Sequence, residues 1–164
     1  MILPILTEPN PLLHKQAKPI ADARIISAEM KKLATDLIET MRAKDGVGLA
    51  ATQAGRLEQI CVVAVDLEKQ EKREIVLINP RWEKIGLRKE TDDEGCLSVP
   101  EIFGKVKRYK KIRVFAKNLL GNNLEFVAED LLARIIQHEV DHLNGILFTE
   151  KAKGLHKIDK SAGK

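Results

Sequence analysis

The chain has 164 residues, a length that as a prior means about one domain and lets roughly 68–70% of the unfolded chain's surface be buried. Hydrophobic residues make up 44% and charged residues 32%, a globular balance that argues against a disordered, collagen-like or membrane-spanning chain. No apolar run approaches the ~20 residues needed to cross a bilayer, and MILPILTEPN lacks the basic start and apolar stretch of a signal peptide. The expected location is therefore the cytoplasm. The net charge of +4 is mild. Its excess lies in KVKRYKKIR and in KAKGLHKIDKSAGK. Both read first as solvated faces, with an RNA-rich partner as the rival reading.

In chain order, Asn10 before PLLHK marks a short helical turn with Pro11 in its first position. Ser27 to Lys44 is the first long helix, capped by Ser27, with an apolar stripe through Met30, Leu33, Leu37, Ile38 and Met41. Asp45-Gly46 ends it. Gln59 to Val65 is a β-branched run that predicts a buried strand, and Cys61 within it reads as a small core hydrophobe. Ile75 to Ile78 is a short strand stopped by Asn79-Pro80, and Trp82 to Lys89 alternates as a possible partner. Lys105 to Arg108 and Ile112 to Lys117 read as strands, and Leu119 to Glu125 as a hairpin around Gly121-Asn122-Asn123. Glu129 to Asn144 is a helix with Leu131, Leu132, Ile135, Ile136, Val140 and Leu143 as its apolar positions, stopped by Gly145. Strands between an early and a late helix predict an α+β fold. The expected organisation is one catalytic domain over residues 1–151 and a short basic C-terminal tail over 152–164 that adds little core.

The chemistry concentrates in His138-Glu139-Val140-Asp141-His142. Residues four apart share one helix face, so His138 and His142 can offer two imidazole nitrogens to one metal ion, with Glu139 beside them and free of a ligand role. The chain holds four histidines; His14 and His156 are isolated and read as ordinary surface residues. A catalytic site needs a third protein ligand and an open position. A metzincin would place His six residues after His142, where this chain has Phe148. The short stretch beyond offers only Glu150 and Asp159 as carboxylates, neither in a convincing helix. The third ligand is thus expected upstream, and Cys96 in Glu94-Gly95-Cys96-Leu97-Ser98 is the candidate. The two cysteines make no disulfide framework.

Three blocks taken together, GVGLAATQ (Gly46 to Gln53), EGCLS (Glu94 to Ser98) and QHEVDH (Gln137 to His142), resemble those of the peptide deformylase family, and the likeness runs from about Leu3 to Glu150. The resemblance implies antiparallel β-sheets packed around a central metal-binding helix, with an N-terminal helix. It implies Cys96, His138 and His142 as metal ligands and Glu139 as the general acid/base. Gln53, through its side-chain amide, and Leu97, through its backbone N–H, would bind the formyl oxygen. Gly48 would pair with the substrate backbone, and Val47, Leu131 and Ile135 would line the methionine pocket. Glu94 and Arg108 occupy positions the family uses for a buried ion pair. The implied cofactor is one Fe2+, with Zn2+, Ni2+ or Co2+ as substitutes. The ligand set alone would suggest zinc. The implied partners are N-formyl-methionyl nascent peptides and, transiently, the ribosome, with no membrane and no specific nucleic acid; formate is released. The rivals are an HExxH endopeptidase, which lacks its downstream ligand here, and a structural zinc module, which lacks a fourth ligand.

Overall fold

The computed structural model describes residues 1–65 and 73–158. A 3-10 turn, Pro11–His14, opens under the Asn10 side chain, which accepts from the Leu12 N–H. A single helical turn, α1 (Asp22–Ile25), precedes α2 (Ala28–Ala43). Ser27 caps α2 by accepting from the Met30 N–H, as its position predicts. β1 (Gly48–Ala50), a 3-10 turn over Ala51–Ala54, β2 (Ile60–Val65) and β3 (Arg73–Lys84) follow. Then come β4 (Lys89–Cys96), β5 (Val99–Tyr109), β6 (Lys111–Lys117), β7 (Asn123–Glu129) and the helix α3 (Asp130–Leu143). A 3-10 turn at Phe148–Glu150 leads to β8 (Lys153–Lys157).

The strands form two antiparallel sheets, ordered β1-β2-β3-β6-β7 and β4-β5-β8. In β2 successive side chains face opposite ways. Ile60, Val62 and Ala64 join Met30, Leu33, Leu37 and Met41 of α2 in one core. Cys61 and Val63 join Ala133, Ile136, Val140 and Leu143 of α3 in another. A helix on each face is why β2 is apolar throughout rather than alternating. A smaller core, with Leu13, Val99, Val106, Leu147 and Phe148, lies under the three-stranded sheet. The helix α3 is therefore central, held between both sheets.

The structure departs from the sequence reading at three places. Asn79-Pro80 does not end a strand: β3 runs through it, with a shift of register between Ile78 and Arg81. Asn79 adopts a positive φ of 50°, and its side chain exchanges two 2.8 Å hydrogen bonds with the backbone of Ile20. A bulge is where a strand tolerates proline. The charged stretch KETDDEGC, which carries no strand signal, is β4. It is held by its ladder to β5 and by cross-strand ion pairs such as Lys105–Asp93 and Lys110–Glu90. Finally, Lys153–Lys157, expected as part of the basic tail, pairs with β5 as an edge strand, although all five residues are exposed.

The N-terminal segment is a strap that fixes the site. Leu6 N–H donates to Gln53 O at 2.7 Å, and Glu8 N–H donates to Ser98 O at 2.9 Å. Gly145 stops α3 at φ 74°; a Cβ there would stand 2.6 Å from the carbonyl oxygen of His14.

Candidate metal centre

The buried helix α3 presents His138 and His142 on one face, and the turn between β4 and β5 brings Cys96 to meet them. Their ligand atoms lie within 4.8 Å of one another. Cys96 Sγ is 3.2 Å from His142 Nε2, which is 3.1 Å from His138 Nε2. Ligands at 2.0–2.3 Å around one tetrahedral ion would be about 3.4–3.6 Å apart, so these two separations are close to what a single cation requires.

Glu94 orients this triangle. Its Oε1 accepts from His138 Nδ1 (2.8 Å) and Arg108 Nη2 (2.9 Å), and its Oε2 from Arg108 Nε (2.9 Å) and Arg134 Nη1 (2.6 Å). Arg108 continues to Asp141 Oδ2 at 2.6 Å, and Lys151 reaches Asp141 Oδ1 at 3.0 Å. A carboxylate on Nδ1 fixes the tautomer and leaves Nε2 to face the site, the usual support of a metal-bound histidine. The Phe148 ring, at the position where a metzincin would have its third histidine, stacks on His138 at 6.1 Å. Thr52 Oγ1 donates to the His142 carbonyl at 3.2 Å, and so ties the turn after β1 to the end of α3.

The electrostatics favour a cation. Burial opposes charge on Glu94, yet hydrogen bonds from Arg108 and His138 hold its carboxyl far below the ordinary carboxylate range. Burial also opposes charge on His138, but contacts with Cys96 and Glu94 outweigh it and raise its pKa to about 10. Burial and the neighbouring His138 push His142 well down, toward the neutral, ligating form. Burial raises Glu139 to about 7, the charges of His138 and Arg108 pulling the other way. Among the described residues two buried side-chain polar atoms have no hydrogen-bond partner, Glu139 Oε2 and His142 Nδ1. A thiol and two imidazoles at one point, with an unpartnered carboxylate oxygen from a residue lining the same cavity, fit a divalent metal with a water beside it.

The other expected residues surround the same cavity, of about 580 Å3, whose lining includes Val47, Gly48, Gln53, Leu97, Leu131 and Ile135. Gln53 is buried; its Nε2 donates to Cys96 Sγ at 3.4 Å and Ser98 Oγ at 3.1 Å, while its Oε1 accepts from the Ala50 N–H. Gly48 lies on β1, at the edge of the larger sheet. A Cβ on it would stand 2.4 Å from Glu139 Oε1, so only glycine lets the strand pass this close. Cys61 is fully buried in β2, its thiol pushed up by burial, and is not in the metal cluster. His14 pairs with Glu8, and His156 with the Gly154 carbonyl. Sequence reasoning missed Arg134, Asp141 and Ser98. Arg134 stands four residues before His138, a helical spacing that could have flagged it.

Comparison with known proteins agrees across the chain. The family model for polypeptide deformylase matches residues 2–158. A peptide deformylase from Psychrobacter arcticus is 42% identical over 149 residues, covering 91% of this chain and 78% of that one. One from Desulforudis audaxviator is 40% identical over 156 residues, covering 95% and 97%. A class I type b peptide deformylase from Acinetobacter baumannii, crystallised with Met-Ala-Ser bound, superposes with a TM-score of 0.85 at 33% identity, covering 92% of this chain and 98% of that one.

Proposed function

The chain belongs to the polypeptide deformylase family, and on that premise we propose how its own residues perform the reaction. The activity is the metal-dependent removal of the formyl group from the N-terminal formyl-methionine of newly made polypeptides, with release of formate. The observation that carries the reading of the site is the convergence of Cys96, His138 and His142 beside the unpartnered, buried carboxylate oxygen of Glu139.

Cys96, His138 and His142 would hold the metal, which we take to be Fe2+, with Zn2+, Ni2+ or Co2+ as substitutes. When bound, the metal supplies Lewis-acid chemistry: it polarises the formyl oxygen and makes water a nucleophile near neutral pH. Glu139 takes a proton from the attacking water at Oε2 as the water oxygen bonds to the formyl carbon. It then passes that proton to the amine nitrogen as the carbon–nitrogen bond breaks. A carboxyl raised to about 7 suits both halves of that exchange. The Gln53 amide, directed at the Cys96 sulfur, and the Leu97 backbone N–H donate to the formyl oxygen as charge develops on it. Gly48, on the open edge of β1, pairs with the substrate backbone. Val47, Leu131 and Ile135 take the methionine side chain. Leu131 and Val47 are 51% and 42% exposed, so their apolar surface is open to a substrate.

The proposal extends to location. Among the described residues no helix is long and apolar enough to cross a membrane. We place the protein in the cytoplasm, where its substrates emerge, with the catalytic residues within 1–151 and the basic stretch from 152, which adds β8 to the three-stranded sheet, suited to a transient ribosome contact. No specific nucleic acid is invoked. The test is to incubate iron-loaded protein with formyl-Met-Ala-Ser, acetyl-Met-Ala-Ser and an unmodified protein, and to measure formate and free amine. Formate from the first, little product from the second and no internal cleavage of the third are expected. Proteolysis without formate release would overturn the reading.

A further inference from the structure

The two basic segments of the sequence are far apart in the chain, yet the fold makes them neighbours, as β5 and β8 of the three-stranded sheet. Along β5, Gly104, Val106 and Arg108 point inward and are buried. Phe103, Lys105, Lys107 and Tyr109 therefore share the outer face. The register adds Lys89, opposite Tyr109, and sets Asp93 and Lys153 on either side of Lys105. Lys84, at the end of β3, comes 5.7 Å from the centre of the Tyr109 ring, and Lys89 comes 4.5 Å from it. Among the described residues Lys84, Lys89, Lys107 and Lys153 have no carboxylate partner. Lys105 has only Asp93, at 3.4 Å between exposed side chains, a pair worth little. Lys105 and Lys153 are like charges directly opposite, an arrangement that costs a sheet stability. At the other end the Phe103 ring crosses Gly95, where a Cβ would stand 2.4 Å from it. That ring belongs to none of the three cores and lines the metal cavity. Glu101, beyond it, is paired with Lys157.

We infer that this outer face binds single-stranded RNA without regard to sequence, its lysines on the phosphates and Phe103 stacked on a base. From Phe103 to Tyr109 the face runs about 20 Å at the rise of a strand, long enough for a few nucleotides. A row of phosphates supplies counter-charges to all the unpartnered ammonium groups at once and relieves the opposition of Lys105 and Lys153. An aromatic ring on an open sheet face adds a stacking platform, which a lipid headgroup has no use for. Lysines on phosphates position a strand but read no bases. The surface is the sheet itself, not residues 159–164. The choice of RNA over DNA rests on the deformylase reading, because RNA is the single strand that surrounds emerging polypeptides. The binding itself does not depend on that reading.

The test is fluorescence anisotropy of a labelled 12-nucleotide single-stranded RNA, titrated with the metal-loaded full chain between about 50 and 200 mM salt. The logarithm of the binding constant should fall against that of salt with a slope of about −3, since each lysine–phosphate contact contributes about −0.7. Lys107→Gln combined with Lys153→Gln should weaken binding at least about fivefold and make the slope shallower by about 1.4, with formate release unchanged. Phe103→Leu should weaken binding about five- to 100-fold at an unchanged slope, as for a lost stacking partner, and Phe103→Trp should retain it. A 12-base-pair RNA duplex, whose bases are not free to stack, should bind more weakly than the single strand. Lys160→Gln combined with Lys164→Gln should leave binding as it is. No binding at 50 mM salt would overturn the inference. So would an unchanged affinity in Phe103→Leu, or a greater loss from Lys160 and Lys164 than from the sheet pair. Tighter binding to vesicles of phosphatidylserine than to RNA would also overturn it, and would make the face a membrane contact. Formate release is measured separately, so failure of the deformylase reading and failure of RNA binding are told apart.

Discussion

The helix α3 has two buried faces with opposite chemistry. Toward the five-stranded sheet it offers Ala133, Ile136, Val140 and Leu143. Toward the three-stranded sheet it offers Arg134, His138, Asp141 and His142, nearly as well buried. The apolar face stabilises in proportion to the area it removes from water. The polar face works as one network through Glu94, in which every charge is buried on the condition that the others stay. The first face fixes where the helix lies. The second fixes which imidazole nitrogens meet Cys96.

The sharpest way to break that contrast is to remove a donor from the polar face. Cys96→Ala should lose metal, and activity with it, whereas Cys61→Ser on the apolar side should retain full metal content. Metal analysis of the two purified variants decides; equal loss from both would assign the centre to a different ligand set. Next in size is Glu139→Ala, which should retain the metal and lose at least the ~10²–10⁴-fold typical of a general acid/base. Because burial raises Glu139 to about 7 and the base must be deprotonated, kcat/KM of the wild type should fall on the acid side with a midpoint at or below about 7. A profile flat down to pH 5 would remove Glu139 from that role.

The apolar face was legible in the sequence and the polar face only in part. The Ser27 cap, the stripe of α2, the run of β2 and the spacing His138–His142 are local patterns, and local patterns survive in a sequence read alone. β4 was not legible, because its inward residue Glu94 is a charge and its stability comes from Arg108 and Arg134, which lie elsewhere in the chain. A hydrophobic pattern cannot register a strand whose core is an ion network. β8 was hidden for a related reason: it is an edge strand whose five residues are all exposed. The role of Asp141 appears only when α3 is set against β5, whereas Arg134 had its helical spacing from His138 to mark it.

A middle-sized effect tests the network itself. Glu94→Gln removes the charge that Arg108, Arg134 and His138 share, and leaving buried partners uncompensated costs about 3–5 kcal/mol. It should also weaken metal affinity about 10–100-fold, through loss of the group that orients His138. The pH dependence gives an independent check. Glu94 is held below its ordinary pKa of 4.5 in the fold, so the unfolded chain binds the proton more readily. Its contribution is therefore present above about pH 4.5 and lost as the pH falls. Stability measured by urea melts should thus differ most between wild type and Glu94→Gln near neutrality and converge in acid. A gap that held constant down to pH 3 would show that the variant acts through packing and not through charge.

The smallest effect belongs to the apolar face. Ile136, fully buried against β2 and β6, loses one methylene in Ile136→Val, which should cost about 0.5–1.5 kcal/mol. No hydrogen bond or ion pair depends on that group, so metal content, the acid limb of the activity profile and kcat/KM per folded molecule should all match the wild type. Combining it with Glu94→Gln separates the two faces thermodynamically. Faces that act independently give additive losses within ~0.3–0.5 kcal/mol. A larger coupling would mean that the apolar packing itself sets the position of His138, only two residues along the helix, and that the metal centre is tuned from the side of the helix that never touches it.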